Sequence, residues 1–328
     1  MNLAQEEKSN VTLPVSLSSA LLKEPEEKSF ENNYELRAII GQGGYADIWV
    51  AKDLHDHRTV AVKLLRGEKV RDPQARSAFL LEGNVMMYLQ HPGVVPVYDF
   101  FKDTRGCLYV VMKLVLGRTL NDLLRQVHAE YKGLKRRDML ALERQQLRDR
   151  LKKFLKVCDI VAYAHEKRIL HRDLKPANVM LGVQDDVYVM DWGIAEPHEG
   201  NAPIQTPEEP VGTVRYLAPE IICRKTYDER SDIYSLGTIL FELTYLHAAF
   251  ALDDDKEVCH RAVRGRTSPH VHAYKYPVPF WLKEVIYRAM SPNPEKRTRS
   301  VSEMATEIHN RLMKGPDLIE RFRLFIGK

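Results

Sequence analysis

The stretch HRDLKPANVMLGVQDDVYVMDWG, residues 171–193, holds two short apolar runs, at 179–181 and 187–190, around a polar turn at 182–186. Two apolar runs about such a turn predict a β-hairpin. Asp173, Lys175 and Asn178 come just before it and Asp191 just after. Paired strands bring their outer ends together, so these four side chains are expected to converge on one small volume. A magnesium-bound polyphosphate needs such a set. Carboxylate and amide oxygens suit a hard cation, an amine offsets phosphate charge, and one carboxylate is left to orient a hydroxyl nucleophile.

At 328 residues the chain is long enough for two domains or for two lobes of one. No apolar run approaches the roughly 18 residues that a membrane-spanning helix needs. The opening MNLAQEEKSN lacks a basic region followed by an apolar one, so it does not read as a signal peptide. Cys107, Cys158, Cys223 and Cys259 are far apart and form no CxxC pair. That spacing argues against a zinc site or a disulfide scaffold and fits a reducing, cytoplasmic setting. The net charge of +4 permits anionic ligands without demanding nucleic acid.

Residues 1–30 are acidic and polar and read as a mostly disordered N-terminal extension, in which VTLPVSL is a candidate docking segment. Residues 31–115 form a strand-rich unit. YELRAIIGQGGYADIWVAKD predicts two strands around a glycine-rich turn, RTVAVKLL a third, and VVPVYDFFKD and GCLYVVMKLV two more. ARSAFLLEGNVMMYLQ has helical spacing at Phe79, Leu80, Met86, Met87 and Leu89. From 116 to 312 the pattern is mainly helical, with a tail at 313–328. SDIYSLGTILFELTYL reads as a helix buried nearly all round. Residues 192–217 contain Pro197, Pro203, Pro207 and Pro210 and read as loop.

HRDLKPAN and DWG resemble the catalytic loop and the metal-binding motif of the eukaryotic-type protein kinases. GQGGYA is similar to their glycine loop, VAVK to the strand carrying the ATP lysine, GTVRYLAPE to the end of their activation segment, and DIYSLG to the start of their central helix. The resemblance covers about residues 31–312, and HPGVVPVYDF, MKLVLGRTL and DWG are most like the bacterial serine/threonine kinases. It implies an α+β, bilobal fold: a small N-lobe (31–115) with a five-stranded antiparallel sheet and one main helix, and a larger, mainly helical C-lobe (116–312). The C-lobe would include a basic helical insertion at 125–150 and an activation segment at 191–220.

The resemblance also implies roles. Asp173 would be the catalytic base and Lys175 a γ-phosphate contact. Lys63 would pair with the α and β phosphates of ATP, aimed by Glu82. Glu82 is the only acid between Asp72 and Asp99, follows the apolar run AFLL, and needs a partner if it faces inward. Asn178 and Asp191 would hold Mg²⁺, with Mn²⁺ as an alternative. Ile40, Gly41, Gln42, Gly43, Gly44, Ile48 and Ala61 would cover the nucleotide, Met180 would lie beneath it, Met112 would back the pocket, and Lys113 to Val115 would form the hinge.

The chain departs from the family at several positions. Ala46 stands for the third glycine, Trp192 for the usual Phe, and Lys113 where many kinases carry Glu. Asn121 and Asp122 are the candidates for the ribose contact. Glu220 would pair with Arg297, Asp232 would hold the catalytic-loop backbone, and Thr213 would bond Asp173 and Lys175. Arg172 would receive a phosphate on Thr206, the one hydroxyl between Trp192 and Pro210, or be neutralised by Glu208 or Glu209.

Residues 125–156 carry eleven Lys or Arg against four Asp or Glu. They read as a solvated helix hairpin or as a docking surface for an acidic partner; the lack of interleaved aromatics argues against nucleic acid. Overall the resemblance implies an ATP-dependent serine/threonine protein kinase acting on a protein hydroxyl, with autophosphorylation. The alternative is a pseudokinase serving as a nucleotide-binding regulatory or scaffold module.

Overall fold

A computed structural model describes residues 17–131, 136–198, 204, 212–251, 254–267 and 278–314, with the side chains of 18, 19 and 136–145 left out. After helix α1 (Leu17–Leu21) and strand β1 (Glu26–Glu27), the N-lobe is built from β2 (Tyr34–Gln42), β3 (Ala46–Asp53), β4 (Thr59–Leu65), helix α2 (Pro73–Tyr88), β5 (Val97–Lys102) and β6 (Leu108–Lys113). These strands form one sheet in the order β1-β5-β6-β4-β3-β2, antiparallel except for the parallel β1–β5 pair.

One expectation needs correction here: the sheet has six strands instead of five. Residues 17–30, the described part of the N-terminal extension, lie against the lobe. The open edge of β5 offers unpaired backbone groups, and β1 takes them: Glu26 pairs with Phe101, Glu27 with Lys102, and Lys28 N donates to Lys102 O at 2.9 Å. Phe30 stacks on Tyr109 with ring centroids 4.6 Å apart, inside the aromatic cluster of Tyr34 and Phe101. The VTLPVSL segment, apart from Leu17, lies outside the described residues.

Helix α2 starts where Asp72 accepts from Gln74 N and Ala75 N, at 3.0 and 3.2 Å, with Pro73 at its first position. Its face of Phe79, Leu80, Val85 and Met86 is buried, and Glu82 lies on that same face. Met87, expected to share it, is exposed.

The C-lobe contains β7 (Gly117–Thr119), α3 (Leu120–Tyr131), α4 (Arg136–Glu166), β8 (Ile169–Leu170), β9 (Val179–Gly182), β10 (Val187–Val189), β11 (Glu196–Pro197), α5 (Pro219–Ile222), α6 (Glu229–Tyr245), α7 (Asp255–Val263), α8 (Phe280–Ala289) and α9 (Val301–Lys314). Helix α6 is buried at every position from Ser231 to Tyr245, as its largely apolar sequence predicts, and the burial takes Asp232 and Glu242 with it. The hairpin β9–β10 forms with Val187 opposite Leu181 and Val189 opposite Val179. Among the described residues no helix is long and apolar enough to cross a membrane.

Candidate active site

The catalytic loop hangs from the first turn of α6. Asp232, buried there, accepts from His171 N at 2.8 Å and Arg172 N at 2.9 Å, and its Oδ2 lies 2.9 Å from His165 Nε2. Burial works to raise this carboxyl's pKa, but the His165 hydrogen bond and charge and the His171 contacts together hold it below the usual range. Its grip holds Arg172 in the left-handed region, at φ 70°. Asp191 adopts the same region at φ 65°. Two non-glycine residues in such conformations flank the hairpin, and surrounding structure must sustain them.

Asp173 is tied at both oxygens. Oδ1 accepts from Thr213 N at 3.0 Å and Thr213 Oγ1 at 2.9 Å; Oδ2 accepts from Lys175 Nζ at 2.5 Å and Asn178 Nδ2 at 3.1 Å. Lys175 Nζ also donates to Thr213 Oγ1 at 2.8 Å. Asn178 Nδ2 lies 3.5 Å from Asp191 Oδ2. The hairpin thus brings together the four residues at its ends.

Across the cleft, Lys63 Nζ sits 2.6 and 2.5 Å from the two oxygens of Glu82, which is 5% exposed. A Cβ on Gly193 would lie 3.4 Å from Glu82 Oε2, 3.7 Å from Asp191 Oδ1 and only 2.6 Å from Tyr45 Oη. The ion pair of one lobe and the metal-ligand candidate of the other therefore both approach Gly193, where a side chain would have to displace the Tyr45 hydroxyl. Tyr45 turns inward at this point, its hydroxyl 3.5 Å from Glu82 Oε2, and burial raises its pKa. Sequence reasoning gave Tyr45 no role.

Ala46 is 3% exposed and packs with Leu65, Phe79 and Phe100, so its methyl fills the N-lobe core. In the pocket assigned to the nucleotide, Ala61 faces Met112 across the sheet, Ile48 lies beside Gly41, and Val97, Met112, Val115 and Met180 remain partly buried against the main core. Ile40 is exposed, and Gln42 ends β2 opposite Asp47. Lys113 crosses from the end of β6 to the C-lobe, where Nζ donates to Tyr188 Oη at 2.7 Å. That hydrogen bond holds the ammonium's pKa above lysine's ordinary value. Asp122 is engaged at the start of α3, accepting from Thr119 N and Oγ1 at 3.1 and 2.6 Å.

A family model for the protein kinase domain matches residues 34–311. The chain belongs to the protein kinase family. It is 35% identical over 282 residues to the serine/threonine-protein kinase PknB of Mycolicibacterium smegmatis, covering 84% of this chain and 42% of that protein. PknB of Mycobacterium tuberculosis is 34% identical over 287 residues, 85% of this chain and 43% of the relative. PknD of Protochlamydia amoebophila is 31% identical over 301 residues, 85% of this chain and 30% of the relative. The chain thus spans less than half the length of these curated relatives.

The remaining features of this kinase domain surround the catalytic loop. Trp192, where the family usually has Phe, is fully buried; its indole N–H donates to Val189 O at 3.2 Å and its ring lies 4.4 Å from that of His171. The larger side chain therefore finds the partner its N–H requires. Burial depresses the His171 pKa and keeps the ring neutral, with Nε2 donating to Met190 O at 3.1 Å and Nδ1 accepting from Asp173 N at 3.2 Å. Glu220 and Arg297 form a buried two-pronged pair at 2.7 and 2.6 Å.

Arg172 pairs with Glu196, which also accepts from the Tyr227 hydroxyl, and its guanidinium lies 5.0 Å from the Tyr227 ring centre. Glu196 is a partner that neither the phosphate reading nor the Glu208 or Glu209 reading named. The reason is local: β11 pairs with β8 and sets Glu196 opposite Leu170, two residues before Arg172. Thr206, Glu208 and Glu209 lie outside the described residues. No sequence signal marked Glu196, because its pairing depends on a two-residue strand.

Proposed function

We propose that this domain is an ATP-dependent serine/threonine protein kinase that transfers the γ-phosphoryl group to a protein hydroxyl and also phosphorylates itself. The observation that carries the reading is the Asp173 carboxylate, held at both oxygens beside Asn178 and Asp191 and across the cleft from a closed Lys63–Glu82 pair. Asp173 accepts the hydroxyl proton and orients the nucleophile. Lys175, already bonded to Asp173 and Thr213, contacts the transferred group. Lys63, aimed by Glu82, holds the α and β phosphates. Ile40, Gly41, Gln42, Gly43, Gly44, Ile48 and Ala61 cover the nucleotide, Met112 and Met180 complete its pocket, and the backbone from Lys113 to Val115 reads the adenine.

The Asp191 carboxylate and the side-chain carbonyl of Asn178 are hard oxygen donors on residues that already meet, Asn178 Nδ2 lying 3.5 Å from Asp191 Oδ2, and these oxygens would hold Mg²⁺ or Mn²⁺ completed by phosphate and water oxygens. Bound there, the ion neutralises charge on the phosphates. The basic helices at 125–156 are a candidate docking face for an acidic partner.

The test is a transfer assay with the purified chain, Mg²⁺-ATP and a generic protein substrate, followed by mass mapping of phosphosites. Phosphoserine or phosphothreonine that disappears in Asp173→Asn is expected. Nucleotide binding with no transfer by the wild-type chain would establish the scaffold alternative instead.

A further inference from the structure

The segment ahead of the kinase domain is attached to the two elements whose placement the active arrangement depends on. Leu21, 3% exposed, joins the same apolar cluster as Val85 and Met86 of α2 and Ala195 beside β11. Helix α1 packs against both α2 and β11. Along α2 the attachment is polar as well. Arg76 Nη2 lies 2.8 and 2.7 Å from the two oxygens of Glu24, and its Nε 3.0 Å from Oε1. Two turns later, Asn84 Nδ2 donates to Lys23 O at 3.0 Å. The segment's far end is fixed to the sheet by β1 and by Lys28, whose Nζ donates to Asp99 Oδ1 at 2.7 Å.

Between Arg76 and Asn84 on α2 stands Glu82, the partner of Lys63. Next to β11 stands Arg172, and next to that Asp173. We infer that residues 17–28 are a built-in clamp that positions α2, so that Glu82 stays paired with Lys63, and that ties this pose to the β11 strand carrying Glu196. Leu21, Glu24 and Arg76 are positioning residues and touch no substrate. Where a helix such as α2 can also swing outward, a segment that binds only the inward pose shifts the population toward it by its differential affinity. The Glu24–Arg76 pair is partly exposed, shares Glu24 with Lys102 at 3.5 Å and Arg76 with Gly106 O at 2.9 Å, and contributes little alone; its two-pronged geometry sets register, while Leu21 supplies the buried anchor.

The inference rests on the kinase reading of Glu82, and its test separates the two. Leu21→Asp, Glu24→Arg, Arg76→Glu and the double variant Glu24→Arg/Arg76→Glu are compared with wild type for transfer rate, KM for ATP and amide hydrogen exchange along α2. Leu21→Asp is expected to lower kcat by about tenfold or more, and each charge reversal by about three- to fivefold, with faster exchange in α2 and unchanged exchange in α6. The double reversal should recover part of the loss of either single reversal, the remainder reflecting the reversed charge at 24 facing Lys102 and the lost bond to Gly106 O. If Leu21→Asp unfolds the whole chain, the charge-reversal cycle decides. Wild-type rate and wild-type α2 exchange in Leu21→Asp, or no recovery in the double reversal, overturns the clamp. Exchange reports on α2 without any transfer, so an inactive wild-type protein would refute the kinase reading and leave the clamp measurable.

Discussion

Asp173 accepts four hydrogen bonds through its carboxylate, two of them from Thr213 and one each from Lys175 and Asn178. On the proposed reading of Asp173 as the proton acceptor, a group held this way needs no reorganisation when a hydroxyl proton reaches it, so its value would lie in the transition state. Asp173→Asn keeps the shape and loses the proton acceptor. Transfer should fall by ~10²–10⁴ while nucleotide affinity stays within a few-fold. Calorimetry and a transfer assay on the same preparation check this; a wild-type rate would remove Asp173 from the mechanism.

Glu242 tests a different property. Burial raises its pKa to about 7 from 4.5, against the lowering influence of the Tyr216 hydrogen bond and Arg215. The folded chain therefore holds this proton more tightly than the unfolded chain. Below about pH 4.5 both are protonated and the burial costs nothing. As pH rises toward about 7 the unfolded chain ionises first, and the site's contribution to stability falls by on the order of 3 kcal/mol. Glu242→Gln should flatten that part of the stability profile. Urea unfolding midpoints at pH 5 and about pH 8, compared between variant and wild type, measure it; parallel profiles would mean that Glu242 does not titrate there.

The short pairing of β11 with β8 decides what Arg172 meets. Since Glu196 already supplies an acid, Thr206→Ala is expected to hold transfer within about threefold. Glu196→Ala should lower it by about tenfold or more, because a half-buried guanidinium loses its counter-charge. Rates for both variants discriminate: a large loss in Thr206→Ala with none in Glu196→Ala would restore loop phosphorylation as the controlling event. The Lys113–Tyr188 hydrogen bond links β6 to β10, and hence one lobe to the other. Lys113→Met and Tyr188→Phe should each weaken nucleotide binding by about three- to tenfold, with the double variant no worse than either. Additive losses would show that the two side chains act separately.

Two lobes around one cleft also need their distant parts held. The Arg297 side chain is fully buried and its guanidinium meets Glu220, Ser291 O and Arg230 O, at distances of 2.6 to 2.8 Å. It thereby ties the end of the activation segment to the loop between α8 and α9. Removing one partner of such a pair leaves a buried charge, so Arg297→Met should destabilise the chain by about 3–5 kcal/mol. Denaturant unfolding reads this directly; a loss below about 1 kcal/mol would mean that Glu220 finds water or another partner.

Much of this protein was legible in its residues because the informative signals are local. The hairpin at 179–190, the glycine turn, the helical spacing around Glu82 and the largely apolar α6 each follow from periodicity over a few residues; Asp173, Asn178 and Asp191 flank that hairpin, and Lys63 lies on β4, the second strand after the glycine turn. The Lys63–Glu82 pair was legible for a different reason: a lone acid in an apolar helical stretch has few ways to be satisfied.

The remaining features depend on where the chain returns. Six strands replace five because β5 has an open edge and a charged segment with little strand pattern happens to reach it. Glu196 meets Arg172 because two two-residue strands pair, and no window of sequence is long enough to signal them. Ala46 faces the core and Met87 the solvent because packing between elements settles which side of a strand or helix is covered. Lys113 finds Tyr188, and Leu21 finds α2, across separations of dozens of residues. Short-range pattern determines which elements form; contacts between elements distant in sequence determine which of their side chains meet.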